Sequence, residues 1–208
     1  MTISESVAPE YATYVARQRA DQVLPPSRAL DSGQVGDGIR MDPGAAVELM
    51  RVAALRAAGL FRPTQRTTIA WVDGANQLAI VVAELGLELT DGQAVVVVPV
   101  RCDQVHGTVR VTFALGSPDR PRGLYAGTES RPRGPELVID TWGDALVAFA
   151  WQCLLGLFTG MSAAAGKDTS GSYLVPVEIA ANADGLVVVP MARHRFSGST
   201  GLLGKTVR

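Results

Sequence analysis

The chain has 208 residues, of which 47% are hydrophobic and 19% are charged, and its formal net charge at pH 7 is −1. A chain of this length forms one large domain, or one domain with an arm, and buries roughly 70% of its unfolded surface without disulfides. The near-zero charge removes any global electrostatic argument for binding nucleic acid or an anionic membrane, and the low charged content favours extensive burial, which could include a subunit interface.

The first forty residues are predicted to be an N-terminal arm that is separate from the main domain. Residues 9–24 are expected to form a helix, with a proline in its first turn and the pair Pro25-Pro26 ending it. Residues 25–42 contain three glycines and lack periodicity, which is typical of an extended linker. The first fifteen residues contain Glu5 and Glu10 and no basic region before an apolar run. We therefore expect no secretory signal and a cytoplasmic location.

The next segment carries the best-marked helix boundaries in the chain. Asp42 is predicted to cap the helix, Pro43 suits its first position, and Gly59 suits the residue just after its end. Met50 and Ala54 belong to one apolar face at helical spacing. This face predicts that the helix covers another layer of the domain.

From Thr67 the pattern changes to runs rich in valine, isoleucine and threonine, broken by turn signals. The Asp-Gly dipeptides at Asp73 and Asp91 favour tight hairpins, and Gly86 suggests a bulge within a long strand. Pro99 and a second strand proline, Pro190, are each expected at an edge or bulge, because proline cannot donate to a strand ladder. The predicted strands are 67–72, 77–89, 94–102, 108–115, 123–128, 136–140, 173–181 and 186–196.

A second long helix is predicted from about Thr141 to Ala165, between the main run of strands and the last two. Because the strands cluster instead of alternating with helices, the order predicts an α+β fold. We expect an antiparallel meandering sheet covered by one or two long helices, with an N-terminal helical arm. The predicted domain spans residues 41–196, and residues 197–208 form a Gly/Ser-rich tail.

The long helix raises the question of a membrane span, since residues 145–165 contain no charge and Gly156 and Gly160 form a GxxxG pair. A polar stripe argues for a core helix of a soluble protein, while an oligomer interface and a membrane span remain open. The stripe consists of Asp144, Gln152, Thr159 and Ser162, and the opposite, apolar side of Leu146, Phe149, Cys153, Leu157 and Met161.

The C-terminal sequence GSTGLLGKT, residues 198–206, is similar to a phosphate-binding loop but has the wrong spacing, because Ser199 stands where the first glycine is required. A helix must also follow such a loop, and only Val207 and Arg208 remain. We therefore expect no nucleotide binding. No other motif indicates a cofactor.

Four metal-ligating side chains could form a zinc site in principle, but they are scattered along the chain. Cys102 and His106 have Cys-x3-His spacing at a strand end, whereas Cys153 lies on the apolar face of a helix. The fourth is His194. A buried, structural cysteine at Cys153 is the favoured interpretation, so no zinc is expected.

Asp140 and Asp144 lie four residues apart near the start of the long helix. One interpretation is a pair of carboxylates for metal binding or acid–base chemistry. The favoured interpretation is helix capping and a favourable interaction with the helix dipole.

The sequence Arg-Pro-Arg-Gly occurs twice, and it gives the one local excess of charge. Arginine forks bind carboxylates and phosphates in bidentate fashion. The favoured interpretation is two separate solvated turns, and the alternative is one patch that binds an anion or a partner. The residues concerned are Arg120, Arg122, Arg131 and Arg133.

The functional expectation is a non-enzymatic binding or assembly protein, a subunit or adaptor that contacts another protein chain or a second copy of itself. Low charge, apolar content, a detachable arm and the lack of a nucleophile elbow or a His-Glu-x-x-His motif favour it. The alternative is an enzyme or small-ligand-binding protein with a pocket between the sheet and the helix at 141–165. Neither nucleic acid nor a membrane is expected as a partner.

Overall fold

The computed structural model describes residues 38–58, 68–102, 105–115, 126–128, 131–164, 171 and 174–191. Within these ranges the chain forms two antiparallel sheets and two α-helices, which confirms the predicted α+β class. The predicted helix at 9–24 and the C-terminal tail at 197–208 lie outside the described residues.

The helices and strands follow the chain in an order close to the predicted one. The helices are α1 (Pro43–Ala57) and α2 (Glu136–Ala164). The strands are β1 (Ile39–Met41), β2 (Thr68–Asp73), β3 (Asn76–Val81), β4 (Gly86–Thr90), β5 (Gln93–Cys102), β6 (Val105–Leu115), β7 (Ala126–Thr128), β8 (Val175–Asn182) and β9 (Gly185–Met191).

The strands divide into a larger and a smaller sheet. The larger sheet has the order β2-β3-β5-β6-β7, with β4 paired to the same edge of β5 as β3, and the smaller sheet has the order β1-β9-β8. The Gly92 amide donates a hydrogen bond to the Ala181 carbonyl at 3.0 Å, which ties the two sheets together. Helix α2 contacts α1 and strands of both sheets, so it is the central element of the core.

The start of α1 agrees with its sequence signals. The Asp42 carboxylate accepts a hydrogen bond from the Ala45 amide at 3.0 Å, and proline occupies the first turn. This bond satisfies one of the backbone donors that a helix N-terminus leaves unpaired. The predicted stop, Gly59, lies outside the described residues. The strand β1 lies directly before the cap and pairs with β9. The predicted boundary between arm and domain falls within this strand.

The predicted strand at 77–89 is wrong as a single element. A 3₁₀ turn at Val82–Glu84 separates β3 from β4, and Gly86 begins the second strand instead of forming a bulge. The reason is burial on both sides of the turn, since Val82 and Leu85 both point into the core. The Leu85 backbone amide donates a hydrogen bond to the Val82 carbonyl, and the Arg51 guanidinium donates to the Leu85 carbonyl. These bonds fix the turn.

The predicted strand at 136–140 is also wrong, because these residues form the first turns of α2. The carbonyl of Pro135 accepts the amides of Val138 and Ile139, both at 3.0 Å. Val138, Ile139 and Trp142 then bury one face at helical spacing. The β-branched residues indicated a strand, but packing of this face against the core favours the helix.

Pro190 lies beside a register shift, as predicted, whereas Pro99 lies within the interior strand β5, at a point where the ladder on one edge is interrupted. On one edge of β5, Pro99 faces Thr108 of β6. On the other edge, the strand paired with β5 changes from β4 to β3 at this point. Pro190 faces Pro176 beside a register shift and lies beyond the end of β1. The missing N–H groups therefore cost no interior ladder bond. The Asp-Gly turns are confirmed, with Gly74 and Gly92 at φ values of +60° and +66°.

Aromatic side chains connect α2 to the larger sheet. Trp71 packs against Trp142 with ring centroids 6.1 Å apart and meets Phe149 edge-on at 5.7 Å. Trp151 packs against Phe113 at 5.8 Å. All five rings are buried. Such contacts add to the area-dependent stabilisation of the core.

Among the described residues, α2 is the one helix long and apolar enough to cross a membrane by length and composition. Of its most apolar window, 72% is buried inside the structure. The predicted apolar side is confirmed, because all five of its residues are fully buried. The polar stripe is only partly as predicted, because Asp144 and Thr159 are exposed whereas Gln152 and Ser162 are buried.

Candidate functional site

The two helices pack closely because α2 offers glycine where α1 approaches it. A β-carbon on Gly156 would come within 2.6 Å of the Ala53 β-carbon, and one on Gly160 would lie 3.2 Å from the end of the Leu49 side chain. The contact pairs the later glycine of α2 with the earlier residue of α1, so the two helices run antiparallel. The GxxxG pair of the sequence therefore forms a helix–helix contact within this chain.

A groove of about 450 Å³ lies along this contact, between α1 and α2. Its α2 side consists of residues spaced three and four apart from Gln152 to Ala163, which share one helix face. The sequence-based alternative places a pocket elsewhere, between the sheet and the long helix. The α1 side of the groove consists of Leu49, Val52, Ala53, Arg56 and Ala57.

The groove has apolar walls and a floor of small residues. Val52 is 44% exposed, and Leu49 and Leu155 are half-buried. The floor is formed where Gly156 meets Ala53, and short side chains at that point leave the space open. An apolar surface of this shape is partly exposed to water, so covering it would be favourable.

The polar group of greatest interest in the groove is the amide of Gln152. This side chain is 7% exposed, and its Nε2 finds no hydrogen-bond partner among the described residues. Leaving a buried amide donor unpaired costs about 1–3 kcal/mol. An acceptor in the groove would recover this energy once the amide turned toward it.

Two further donors lie at the surface of the groove. Arg56 and Thr159 are both exposed, and neither side chain forms an ion pair or hydrogen bond with another part of the chain that the structure describes. Arg56 is the one ionisable group among the described residues that line the groove. Arg56 lies in the last turn of α1, where its positive charge also interacts favourably with the helix dipole and stabilises the helix.

The arginines of the repeated turn motif are placed only in part. Arg131 pairs with Asp140 at 2.5 Å, and both side chains are more than half exposed. Arg133 forms backbone hydrogen bonds with Arg110 of β6, at 2.7 and 3.0 Å. Arg120 and Arg122 lie outside the described residues. Convergence of all four arginines therefore stays a hypothesis.

The two carboxylates of α2 have a different role from the predicted one. Because the helix begins at Glu136, Asp140 and Asp144 lie in its second and third turns and cap nothing. Asp140 instead accepts the ion pair from Arg131, and Asp144 is exposed on the surface. The correction follows from the earlier helix start.

The histidine and cysteine residues considered as zinc ligands are separated where the structure describes them. Arg101 faces His106 and Cys102 faces Val105 across the β5–β6 hairpin, so Cys102 and His106 point to opposite sheet faces. Cys153 is fully buried in the core, and burial raises the pKa of its thiol far above the ordinary range. His194 lies outside the described residues. Within those residues no cluster of three metal-ligating side chains occurs.

An ion pair lies on the larger sheet, away from the groove. Arg110 of β6 donates to both carboxylate oxygens of Glu88 on β4, one of them at 2.7 Å. The hydrogen bond from Arg110 lowers the pKa of the Glu88 carboxyl and outweighs the opposing effect of its slight burial. Both side chains are substantially exposed, so the pair contributes little to the stability of the fold.

The groove offers apolar surface and hydrogen-bond donors, and its described lining contains no carboxylate, imidazole or thiol. This arrangement suits binding better than acid–base chemistry.

Sequence reasoning placed Gln152 on a polar stripe and did not single out Arg56. The helix–helix register, which brings both into one groove, is not visible in the local pattern.

Comparison of the chain with protein families, curated proteins and solved structures finds no match.

Proposed function

We propose that this protein is a non-enzymatic binding or assembly protein that holds an apolar segment of another protein chain in the groove between α1 and α2. The observation that carries the proposal is the buried, unpaired amide of Gln152 beside exposed apolar walls. A partner that supplied both apolar side chains and an acceptor would satisfy the amide and cover the walls together.

The shape of the groove favours a helical partner segment. Its walls are rows of side chains at three- and four-residue spacing on two helices, into which the ridges of a third helix can pack. From Gln152 to Ala163 the α2 wall is roughly 16 Å long at 1.5 Å per residue. A partner helix of three turns therefore covers it.

The second candidate function is binding of a small apolar ligand in the same groove. A volume of about 450 Å³ falls within the range of roughly 300–1,000 Å³ that small-molecule sites occupy. Such a ligand needs a carbonyl or carboxylate oxygen for the Gln152 amide. The exposure of Val52, Arg56 and Thr159 at the surface of the groove favours the protein segment, and photo-crosslinking separates the two candidates.

We further propose that the protein is soluble and cytoplasmic. The burial of most of α2 by two sheets and α1 supports solubility, because little of its surface is left for lipid. Release of the untagged protein from cells without detergent is the expected result, and retention in the membrane fraction until detergent is added would contradict it.

The test of the groove uses photo-crosslinking in cells. A benzophenone amino acid at Thr159, an exposed position in the groove, should form one discrete adduct with a partner protein or a second copy of the chain. Adding Val52→Asp should abolish this adduct, because it puts a charge on the apolar wall. Leu137→Asp is the control, since Leu137 is 71% exposed on α2, the helix that carries Thr159, but does not line the groove.

Three outcomes are informative. An adduct lost in Val52→Asp and kept in Leu137→Asp supports a protein partner. An adduct that is equal in both variants places binding elsewhere and refutes the proposal. Failure to form any protein adduct, together with a small molecule that co-purifies with the wild type and not with Val52→Asp, supports the ligand alternative.

A further inference from the structure

We infer that the segment bound in the groove carries a carboxylate, which Arg56 and Gln152 receive at one end while apolar side chains of the segment cover the rest. The inference rests on the proposed function and adds the chemistry of the partner. It comes from the position, burial and charge of the two donors.

The two donors belong to the same end of the groove. Gly160 of α2 lies against Leu49 of α1, and Gly156 lies against Ala53. One further turn in the same antiparallel register brings Gln152 level with Ala57, the neighbour of Arg56, and all three residues line the groove. The other end of the groove, toward Ala163, has small and apolar side chains with one hydroxyl group. The groove is therefore polar at the end that holds Gln152 and Arg56 and mainly apolar along the rest of its length.

The donors select an anionic acceptor. Arg56 carries the one formal charge among the described lining residues, and the Gln152 Nε2 is a donor. A lysine or arginine of a partner would meet a like charge and an unpaired donor, whereas a carboxylate accepts from both. The Gln152 Nε2 is buried at the side of the groove, so its amide must turn toward the groove for a carboxylate held by Arg56 to reach it. The apolar walls beside these donors favour an apolar neighbour next to the carboxylate.

The experiment uses three matched peptides with the full-length protein. Each is a fluorescein-labelled helical peptide of about sixteen alanine and leucine residues, with leucines at helical spacing, so that it exceeds the groove length. The peptides differ at one position on the apolar face, which is glutamate, glutamine or lysine. Fluorescence anisotropy gives the affinity of each for the wild type and for four variants: Arg56→Gln, Arg56→Glu, Gln152→Leu and Arg40→Gln.

The wild type should bind the glutamate peptide at least about tenfold more tightly than the lysine peptide. Arg56→Gln should remove most of this preference, and Arg56→Glu should reverse it. Gln152→Leu should weaken binding of the glutamate peptide while the protein stays folded, because leucine fills a similar volume without a polar group. Arg40→Gln, an exposed arginine on β1 outside the groove, should bind like the wild type.

Equal affinity of the wild type for all three peptides would overturn the inference, and so would an unchanged preference in Arg56→Glu. If that equal binding were abolished by Val52→Asp, the groove would still hold an apolar segment and the proposed function would stand. Absence of binding by every peptide would overturn the inference as well. The crosslinking experiment with the natural partner would then decide the proposed function separately.

Discussion

Gly156 of α2 lies directly against Ala53 of α1, so closely that a β-carbon on the glycine would come within 2.6 Å of the alanine β-carbon. No ordinary pair of β-carbons approaches to this distance. The contact sets the spacing of the two helices, and with it the width of the groove that carries the proposed function.

Replacing Gly156 with alanine should destabilise the protein, although alanine is the better helix former. The propensity gain of about 1 kcal/mol is smaller than the cost of forcing a methyl group against another β-carbon that cannot rotate away. We expect a net loss of about 1–2 kcal/mol in the free energy of unfolding, measured by urea denaturation.

Gly160→Ala is the matched control on the same helix. Here the nearest atoms belong to the end of the Leu49 side chain, which can change its rotamer. Its stability should therefore equal or exceed that of the wild type. A stable Gly156→Ala variant would show that the helices do not need this close approach.

Stability should fall at alkaline pH because of Cys153. Burial raises the pKa of this thiol above that of an unfolded cysteine, which is about 8.5. Below that pH the thiol is neutral in both states and its contribution is fully present. Above it the unfolded chain loses the proton while the folded chain keeps it, so the free energy of unfolding falls by up to about 1.4 kcal/mol per pH unit.

The comparison that isolates this effect is the slope of stability against pH between pH 8 and about 10. Cys153→Ala should have a shallower slope than the wild type, whereas Cys102→Ala should keep the wild-type slope. Equal slopes in both variants would contradict the assignment. Thiol reagents should also label Cys102, which is partly exposed, faster than Cys153 in the folded protein.

The carboxyl of Glu88 should titrate below the ordinary glutamate value of about 4.3, because Arg110 donates hydrogen bonds to its charged form. A lowered folded-state pKa gives stability that is present above the unfolded value and is lost as the pH falls through the folded value. NMR titration of the side-chain carboxyl measures the pKa. Arg110→Gln should raise it, and Arg101→Gln on the neighbouring strand should leave it unchanged.

Replacing the four motif arginines, Arg120, Arg122, Arg131 and Arg133, with glutamine should leave the thermal midpoint nearly unchanged. The ion pair from Arg131 to Asp140 is between exposed groups, and such pairs contribute at most about 1 kcal/mol. If they nevertheless form one binding patch, the variant should recover less partner at low salt, and the difference should shrink as salt rises. A large fall in the midpoint would show that the turns are structural.

Removal of residues 1–37 should leave cooperative thermal unfolding, because β1 begins at Ile39 and stays paired with β9. Removal of residues 1–41 should lower the midpoint, since it deletes that strand and exposes the edge of β9 at Leu186–Val188. Circular dichroism melting curves of both truncations measure the difference. Loss of cooperative unfolding in the shorter deletion would show that the arm belongs to the core.

Local chemistry determined much of the fold. Asp42 and Pro43 start α1 because they satisfy or remove backbone donors, and the Asp-Gly turns place glycines at positive φ. Local chemistry failed where packing outweighed propensity. The β-branched start of α2 forms a helix because its apolar face meets the core, and the long predicted strand breaks because Leu85 must turn inward.

The sequence by itself determined the α+β class, the main elements, the apolar side of the long helix and the interruption of the strand ladders at the two prolines. Each of these depends on the periodicity or stereochemistry of neighbouring residues. Only the tertiary structure decided what the GxxxG pair contacts, and that Gln152 and Arg56 share one groove. These two residues are nearly a hundred positions apart in the chain. Their proximity follows from the antiparallel packing of α1 on α2, which no local pattern encodes.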